Sequence, residues 1–273
     1  FTVAGIGDMS GDVFGNGLLL SEQIRLVAAF DHRHVFIDPD PDPATSFAER
    51  ARMFALGRSS WEDYDRSKLS EGGAIVPRAS KEVELSPQAI EALGLPGDTA
   101  PMDGESLIRA ILAAPVELLW NGGIGTYVKA TSETHTDAGD ASNDAVRIDA
   151  PELRCKVIGE GGNLGLTQAA RIEYSLRGGR VNTDALDNSG GVDLSDREVN
   201  LKILLSAAVR RGELPMDERN ALLEELTEEV ADGVLRDNWS QSLSISLDEL
   251  RQSEALDDFR GLMTGLERAG VLD

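Results

Sequence analysis

Residues 3–17 constrain the fold of this chain more than any other stretch. They read V-A-G-I-G-D-M-S-G-D-V-F-G-N-G, so an apolar strand leads directly into a cluster of glycines. A turn of this kind lets the backbone approach a pyrophosphate closely and aims helix N–H groups at its charge. The stretch therefore predicts a nucleotide-binding turn, and an ordinary strand-to-helix turn is the alternative. The candidate contacts are Gly5, Gly7, Asp8, Met9, Ser10 and Gly11.

The residues that follow complete a βαβ pattern. Residues 24–30 form an apolar run of strand length, and the run ends at Asp31, 24 residues after Gly7. An acidic residue at this position of a dinucleotide-binding unit grips the hydroxyls of the adenosine ribose. We therefore predict that Asp31 binds the ribose, with a solvated loop carboxylate as the alternative.

Composition limits the classes of partner. The 273 residues are 41% apolar and 27% charged, which predicts a packed soluble protein. A net charge of -22 argues against nucleic acid and against an anionic membrane surface. Since no apolar run approaches the roughly 20 residues that span a bilayer, we expect a cytoplasmic protein. The chain starts inside a strand pattern without methionine and stops inside a helical one, so we expect both ends to be cut.

Further strands and loops alternate with helices along residues 1–194. Apolar runs at 116–120, 154–158 and, more weakly, 180–186 each lead into a glycine- or asparagine-rich loop. Helices are predicted at 44–56, after Ser86-Pro87 and after Asp103. The pattern is typical of an α/β fold with a doubly wound, mostly parallel, Rossmann-like sheet. From Ser195, which can cap a helix over 197–211, a C-terminal helical segment continues to residue 273.

The loops predict one crevice. Ligands of open parallel sheets bind outside the carboxyl ends of the strands, where these loops lie. Asn121 and Gly122, in the loop after the third strand, are therefore candidate cofactor contacts.

Residues 31–43 contain two histidines and alternating aspartates, but their prolines and the lack of a turn glycine disfavour a metal site. Because no recognisable catalytic nucleophile is present either, we assign no catalytic residue and no metal ligand.

Six segments together resemble the large bacterial NAD-specific glutamate dehydrogenases. They are G-I-G-D-M-S-G-D-V-F-G-N-G, F-D-H-R-H-V-F-I-D-P, S-S-W-E-D-Y-D, W-N-G-G-I-G-T-Y-V-K, G-E-G-G-N-L-G-L-T-Q and N-S-G-G-V-D-L-S-D-R-E-V-N. The resemblance covers nearly the whole chain. It implies the NAD-binding domain of a longer polypeptide that converts L-glutamate, water and NAD to 2-oxoglutarate, ammonium and NADH. The full-length protein is expected to be a homo-oligomer.

The resemblance also implies individual roles. E-G-G-N is similar to the E-G-A-N of shorter glutamate dehydrogenases and places Asn163 near the nicotinamide ribose. N-S-G-G-V is similar to their N-A-G-G-V and places Asn188 near the nicotinamide carboxamide, with Ser195 at the substrate's side-chain carboxylate. In these enzymes a lysine in a G-G-x-K-G-G segment carries the proton chemistry, and this sequence contains no such segment. The chain should therefore bind the cofactor without turning over substrate.

Cofactor choice and function class have alternatives. Asp31 should repel a 2′-phosphate, which favours NAD, while Arg33 leaves some room for that phosphate. Methyltransferases that use S-adenosylmethionine also open with a glycine turn and an acid after the second strand. A nucleotide-binding module without catalysis is the other alternative.

Overall fold

The computed structural model describes residues 1–7 and 16–272, which divide into two compact units, Phe1–Asn188 and Ser189–Asp273. The predicted domains 1–194 and 195–273 have a boundary six residues later. The first unit contains a sheet with helices, and the second contains helices. Each unit is described by itself below.

The first unit is built on a six-stranded, mostly parallel sheet. Its strands are β1 (Thr2–Ile6), β2 (Arg25–Phe30), β3 (His34–Ile37), β4 (Ala74–Pro77), β5 (Leu118–Asn121) and β8 (Val157–Glu160). Their order is β4-β3-β2-β1-β5-β8. The β2-β1-β5-β8 pairings are parallel, whereas β3 and β4 join in antiparallel fashion. The predicted α/β class with a mostly parallel sheet is confirmed.

Alternation of side chains along the strands gives the sheet two buried faces. Val3, Leu26 and Phe36 pack on one face with Met53 and Trp61. The indole of Trp61 stacks on Phe36 with ring centroids 4.4 Å apart. Neighbouring residues of the same strands point to the opposite face. Burying a large apolar side chain contributes roughly 1.5–3 kcal/mol, so both faces stabilise the sheet.

Each α-helix of the first unit follows a polar residue at its N-cap position. They are α1 (Pro43–Ala55), α2 (Pro87–Ala92), α3 (Gly104–Leu112), α4 (His135–Ala138), α5 (Gln168–Leu176) and α6 (Asp184–Asp187). The Ser86 hydroxyl accepts from the Ala89 amide at 3.1 Å, and Asp103 accepts from Ser106 at 2.8 Å. These bonds satisfy amides of the first helical turn that have no partner within the helix, so they determine where each helix begins. The sequence predicted both caps.

The region between β8 and the second unit differs from expectation. The predicted strand over 180–186 is wrong, because within this range only Arg180 forms a β-bridge, which joins it to Val157. Residues 184–187 are helical instead. The N-S-G-G-V segment is likewise not a loop after a strand, since Ser189 begins a long helix. A short parallel pair, β6 (Val128–Lys129) and β7 (Ile148–Asp149), lies outside the main sheet.

The second unit contains α7 (Ser189–Arg210), α8 (Met216–Glu225), α9 (Thr227–Arg251) and α10 (Leu256–Arg268). Ser195 lies within α7, so its predicted role as the cap of a helix starting at 197 is wrong. Helix α7 contacts α9 through Arg197, which pairs with Asp193 at 2.9 Å and with Asp237. Across residues 1–7 and 16–272, no helix has the length and apolar character needed to cross a membrane.

Candidate functional site

Glycines bring three loops together at the carboxyl ends of β1, β5 and β8. Gly7 has a φ of +145°, and a Cβ added there would overlap the Cα of Gly123. A Cβ at Gly162 would lie 2.7 Å from the carbonyl oxygen of Gly123. The three backbones approach each other closely because none of these residues carries a side chain.

Two of the predicted glycines have defined places in this arrangement. Gly5 is within β1, where it pairs with Ala29 and Trp120. The amide of Gly122 donates to the carbonyl of Ile6 at 2.9 Å, which ties the β5 loop to the end of β1. Asp8, Met9, Ser10 and Gly11 lie outside the described residues.

Asp31 follows β2 and closes the turn into β3. Its Oδ1 accepts from the amides of Arg33 and His34, each at 2.7 Å. The residue is only 1% exposed, and its Oδ2 has no hydrogen-bond partner. Asp31 is therefore the cap of a tight β2–β3 turn, and one buried oxygen retains hydrogen-bonding capacity.

A cavity of about 540 Å³ lies beside this turn. Its lining is rich in charged and polar side chains: His32, Arg33, His34, Arg78, Ser80, Lys81, Asp103 and Glu105. The guanidinium of Arg78 lies 6.0 Å from the centroid of the Phe30 ring and donates to the carbonyl of Asp31 at 3.4 Å. His34 is buried and its Nε2 lies 3.3 Å from Glu62. No local sequence pattern indicates that residues 78–81 and 103–105 meet the Asp31 turn.

Asn121 is fully buried at the end of β5. Its Oδ1 lies 3.5 Å from the amide of Gly123, and its Nδ2 has no hydrogen-bond partner. A Cβ at Gly165 would overlap that Nδ2, so the Asn121 side chain lies directly beneath the β8 loop. The structure thus places Asn121 between two of the glycine loops.

Asn163 and Asn188 lie side by side. The Nδ2 of Asn188 donates to the Oδ1 of Asn163 at 2.8 Å. Asn163 is exposed and Asn188 is half-buried. Since Gly162 adjoins Gly123, and Gly123 adjoins Gly7, the asparagine pair belongs to the same edge of the sheet as the first glycine turn. Two amide groups that can each donate and accept are present there.

A buried charge cluster beneath this loop was not predicted from the sequence. Glu160 accepts from Arg171 at 2.7 Å, and Asp184 lies 4.0 Å from the same guanidinium. Burial raises the pKa of Glu160, although Arg171 opposes this shift. Burial also disfavours ionised Asp184, but the hydrogen bond from the Leu164 amide and the Arg171 charge hold the pKa of this carboxyl below its usual range. No local sequence spacing indicates a contact between Glu160, Arg171 and Asp184.

Two further predictions concern other parts of the chain. Ser195 is an exposed residue of the helical unit, and its role at the substrate stays a prediction. Over residues 1–7 and 16–272, no group of histidine, cysteine, aspartate and glutamate side chains could hold a metal ion.

The fold and the strand-end loops define an α/β protein of the Rossmann-like class. The sequence model of the family described as "Bacterial NAD-glutamate dehydrogenase, catalytic domain" matches residues 1–248, and the chain belongs to this family. The NAD-specific glutamate dehydrogenase of Halomonas elongata is 53% identical over the whole chain. That of Mycobacterium tuberculosis is 61% identical over 89% of it.

The chain spans a small part of these relatives, 17% of the Halomonas elongata protein and 15% of the Mycobacterium tuberculosis protein. A crystal structure of Plasmodium falciparum glutamate dehydrogenase aligns with 84% of this chain and 38% of that one. Its sequence identity is 13% and its TM-score is 0.40. The fold class therefore rests on the sheet topology of this chain itself.

Proposed function

We propose that this chain is the NAD-binding part of a glutamate dehydrogenase, which converts L-glutamate, water and NAD to 2-oxoglutarate, ammonium and NADH. The meeting of the Gly7, Gly123 and Gly162 backbones with the Asn163–Asn188 pair carries this proposal. The two relatives described above are named as NAD-specific glutamate dehydrogenases, which supports the same cofactor and substrate.

The residues present fit a dinucleotide. Gly7 follows the parallel strand β1 at its carboxyl end, the position at which glycine-rich turns of such folds accommodate a pyrophosphate. The unpartnered Oδ2 of Asp31 can accept a ribose hydroxyl. At the other end, Asn163 and Asn188 offer donors and acceptors to the nicotinamide ribose and carboxamide. NAD, when bound, supplies the acceptor for a hydride from glutamate.

Calorimetric titration tests this proposal. We expect NADH to bind the chain and to protect it from thermal unfolding, whereas S-adenosylmethionine does neither. The N-G-G-I-G, G-E-G-G-N and N-S-G-G-V segments are not needed by a methyltransferase, which is why NAD is favoured. Protection by S-adenosylmethionine alone would overturn the proposal in favour of the methyltransferase alternative.

We also infer that the chain by itself does not oxidise glutamate. No G-G-x-K-G-G segment is present, and three of the five lysines form ion pairs: Lys129 with Asp149, Lys156 with Glu117 and Lys202 with Glu198. General acid–base assistance is typically worth on the order of 100- to 10,000-fold in rate. Turnover of about 10 per second by the pure chain, an ordinary enzyme rate, would contradict this inference. Cytoplasmic location and homo-oligomeric assembly of the full-length protein stay predictions.

A further inference from the structure

Three charged side chains are buried together below the loop that carries Asn163. The side chains of Glu160, Arg171 and Asp184 are 0%, 5% and 11% exposed. Buried ion pairs contribute little net stability, because desolvation offsets most of their attraction. A cluster of this kind is therefore better explained by the geometry that it imposes than by the stability that it adds.

Each member of the cluster holds the backbone of residues 164–166. Asp184 accepts from the amide of Leu164 at 2.9 Å, and Glu160 accepts from the amide of Gly165 at 3.3 Å. Arg171 donates to the carbonyl of Leu166 at 3.4 Å. Three consecutive residues of the loop are thus bonded to one buried cluster.

Leu164 shows that the loop is held in a conformation it would not adopt alone. Its φ is +60°, in the left-handed region that disfavours residues with a Cβ. Its side chain is largely exposed, so packing of that side chain does not explain the conformation. Its amide is bonded to Asp184, and its carbonyl accepts from Thr126 at 2.6 Å. A strained backbone conformation persists where several surrounding hydrogen bonds hold it in place. The bonds to the Leu164 amide and carbonyl therefore also restrict Asn163, the preceding residue.

The same cluster reaches the segment that leads to Asn188. Arg171 donates through Nη1 to the carbonyl of Asn182 at 2.8 Å. Asn182 in turn donates to Asp187 at 2.9 Å, and the other oxygen of Asp187 accepts from the amide of Glu160 at 3.1 Å. Arg171 therefore bonds to the two segments whose asparagines face each other.

We propose that Arg171, together with Glu160 and Asp184, is a positioning residue that fixes the Asn163–Asn188 pair for the nicotinamide half of the cofactor. This inference rests on the proposed function, because the asparagine pair is assigned to nicotinamide there. The guanidinium is needed for its fork of donors, which reaches Glu160, Leu166 and Asn182 at once. The ammonium group of a lysine carries the same charge on one nitrogen atom and cannot form all three of those bonds.

Arg171→Lys tests the proposal with two ligands of different length. NADH reaches the asparagine pair, whereas ADP carries only the adenosine and pyrophosphate portions. By calorimetry, we expect the variant to bind NADH roughly tenfold more weakly, because the asparagines are no longer preorganised. ADP affinity should stay within about twofold of the unsubstituted chain, since its portions contact other loops.

Arg154→Lys is the control for the loss of an arginine that bonds to backbone carbonyls. Arg154 also bonds to several backbone carbonyls, those of Leu93 at 2.8 Å, Gly94 at 2.9 Å and Ala113. None of these residues belongs to the strand-end loops. A general loss of stability would weaken NADH and ADP binding alike in Arg171→Lys. A positioning role predicts a selective loss of NADH affinity in Arg171→Lys and none in Arg154→Lys.

Glu160→Gln provides a second variant if Arg171→Lys does not fold. It keeps the side-chain shape but removes the charge that anchors Arg171, and the same divergence between NADH and ADP is expected. Unchanged NADH affinity, or an equal loss of NADH and ADP affinity, would overturn the positioning role. Failure of the unsubstituted chain to bind NADH would instead overturn the proposed function itself.

Discussion

Asp31 and Glu160 are buried carboxylates at the ends of two strands of one sheet, and they are satisfied in different ways. Asp31 caps a turn through two backbone amides and keeps one oxygen without a partner. Glu160 is bonded to the Arg171 guanidinium and to the amide of Gly165. A carboxylate with remaining capacity can receive a ligand, whereas one whose oxygens are both engaged can only position its neighbours. Residue type at a strand end therefore does not define the role.

The largest expected difference concerns stability. Glu160→Ala leaves the Arg171 charge buried without its closest partner, which costs about 3 kcal/mol. Asp31→Ala removes an acceptor of two amides but strands no buried cation, so we expect a loss of only about 1–2 kcal/mol. Urea unfolding measures both values. Equal losses would remove the contrast between the two carboxylates.

Gly165 tests how tightly the loop on the Glu160 side is packed. A Cβ at this position would overlap the Asn121 amide and lie 3.3 Å from the Cδ of Glu160. We expect Gly165→Ala to lower the free energy of unfolding by about 2 kcal/mol, since overpacking forces the neighbours to shift. Gly97→Ala is the control, because no atom lies within 4 Å of a Cβ there. Similar unfolding midpoints for the two variants would show that the loop adapts freely.

Cofactor selectivity tests the open carboxylate. We expect NADH to bind on the order of tenfold more tightly than NADPH, because a 2′-phosphate near Asp31 meets a like charge. Asp31→Ala should narrow this ratio, whereas Glu160→Gln should leave it unchanged. Titration of both cofactors into the three proteins measures the ratios. If Asp31→Ala does not alter the ratio of NADH to NADPH affinity, the selectivity depends instead on Arg33 and the other cations of the adjoining cavity.

The smallest expected effect is the pH dependence supplied by Asp184. Its pKa in the folded protein lies below the usual value of an aspartate, so its ionised form stabilises the fold above that usual value. This contribution is lost as the pH falls through the folded-state pKa. Relative to Asp184→Asn, the unsubstituted chain should be about 1 kcal/mol more stable at pH 7, and the difference should shrink in acid. A difference that is constant between pH 7 and pH 3 would rule out titration of Asp184 as its source.

Local sequence determined the elements whose cause is local. The glycines of residues 3–17, the apolar run ending at Asp31 and the caps at Ser86 and Asp103 each act over a few residues, so their pattern predicts a strand, a turn or a helix start. The family resemblance added the asparagine assignments. The local pattern failed to predict that 184–187 are helical and that Ser195 lies within α7, because short apolar runs and single serines do not distinguish these states.

Only the tertiary structure decided what each strand end does. Glu160 and Arg171 are 11 residues apart and Asp184 is 13 further on, and the chain must fold before their charges meet. Arg78 and Lys81 reach the Asp31 turn because β3 and β4 run antiparallel beside β2. The sequence by itself determined a glycine-rich α/β fold with an acid after the second strand. Contacts between distant segments decided which carboxylate retained an open oxygen, because hydrogen-bond satisfaction depends on neighbours in space.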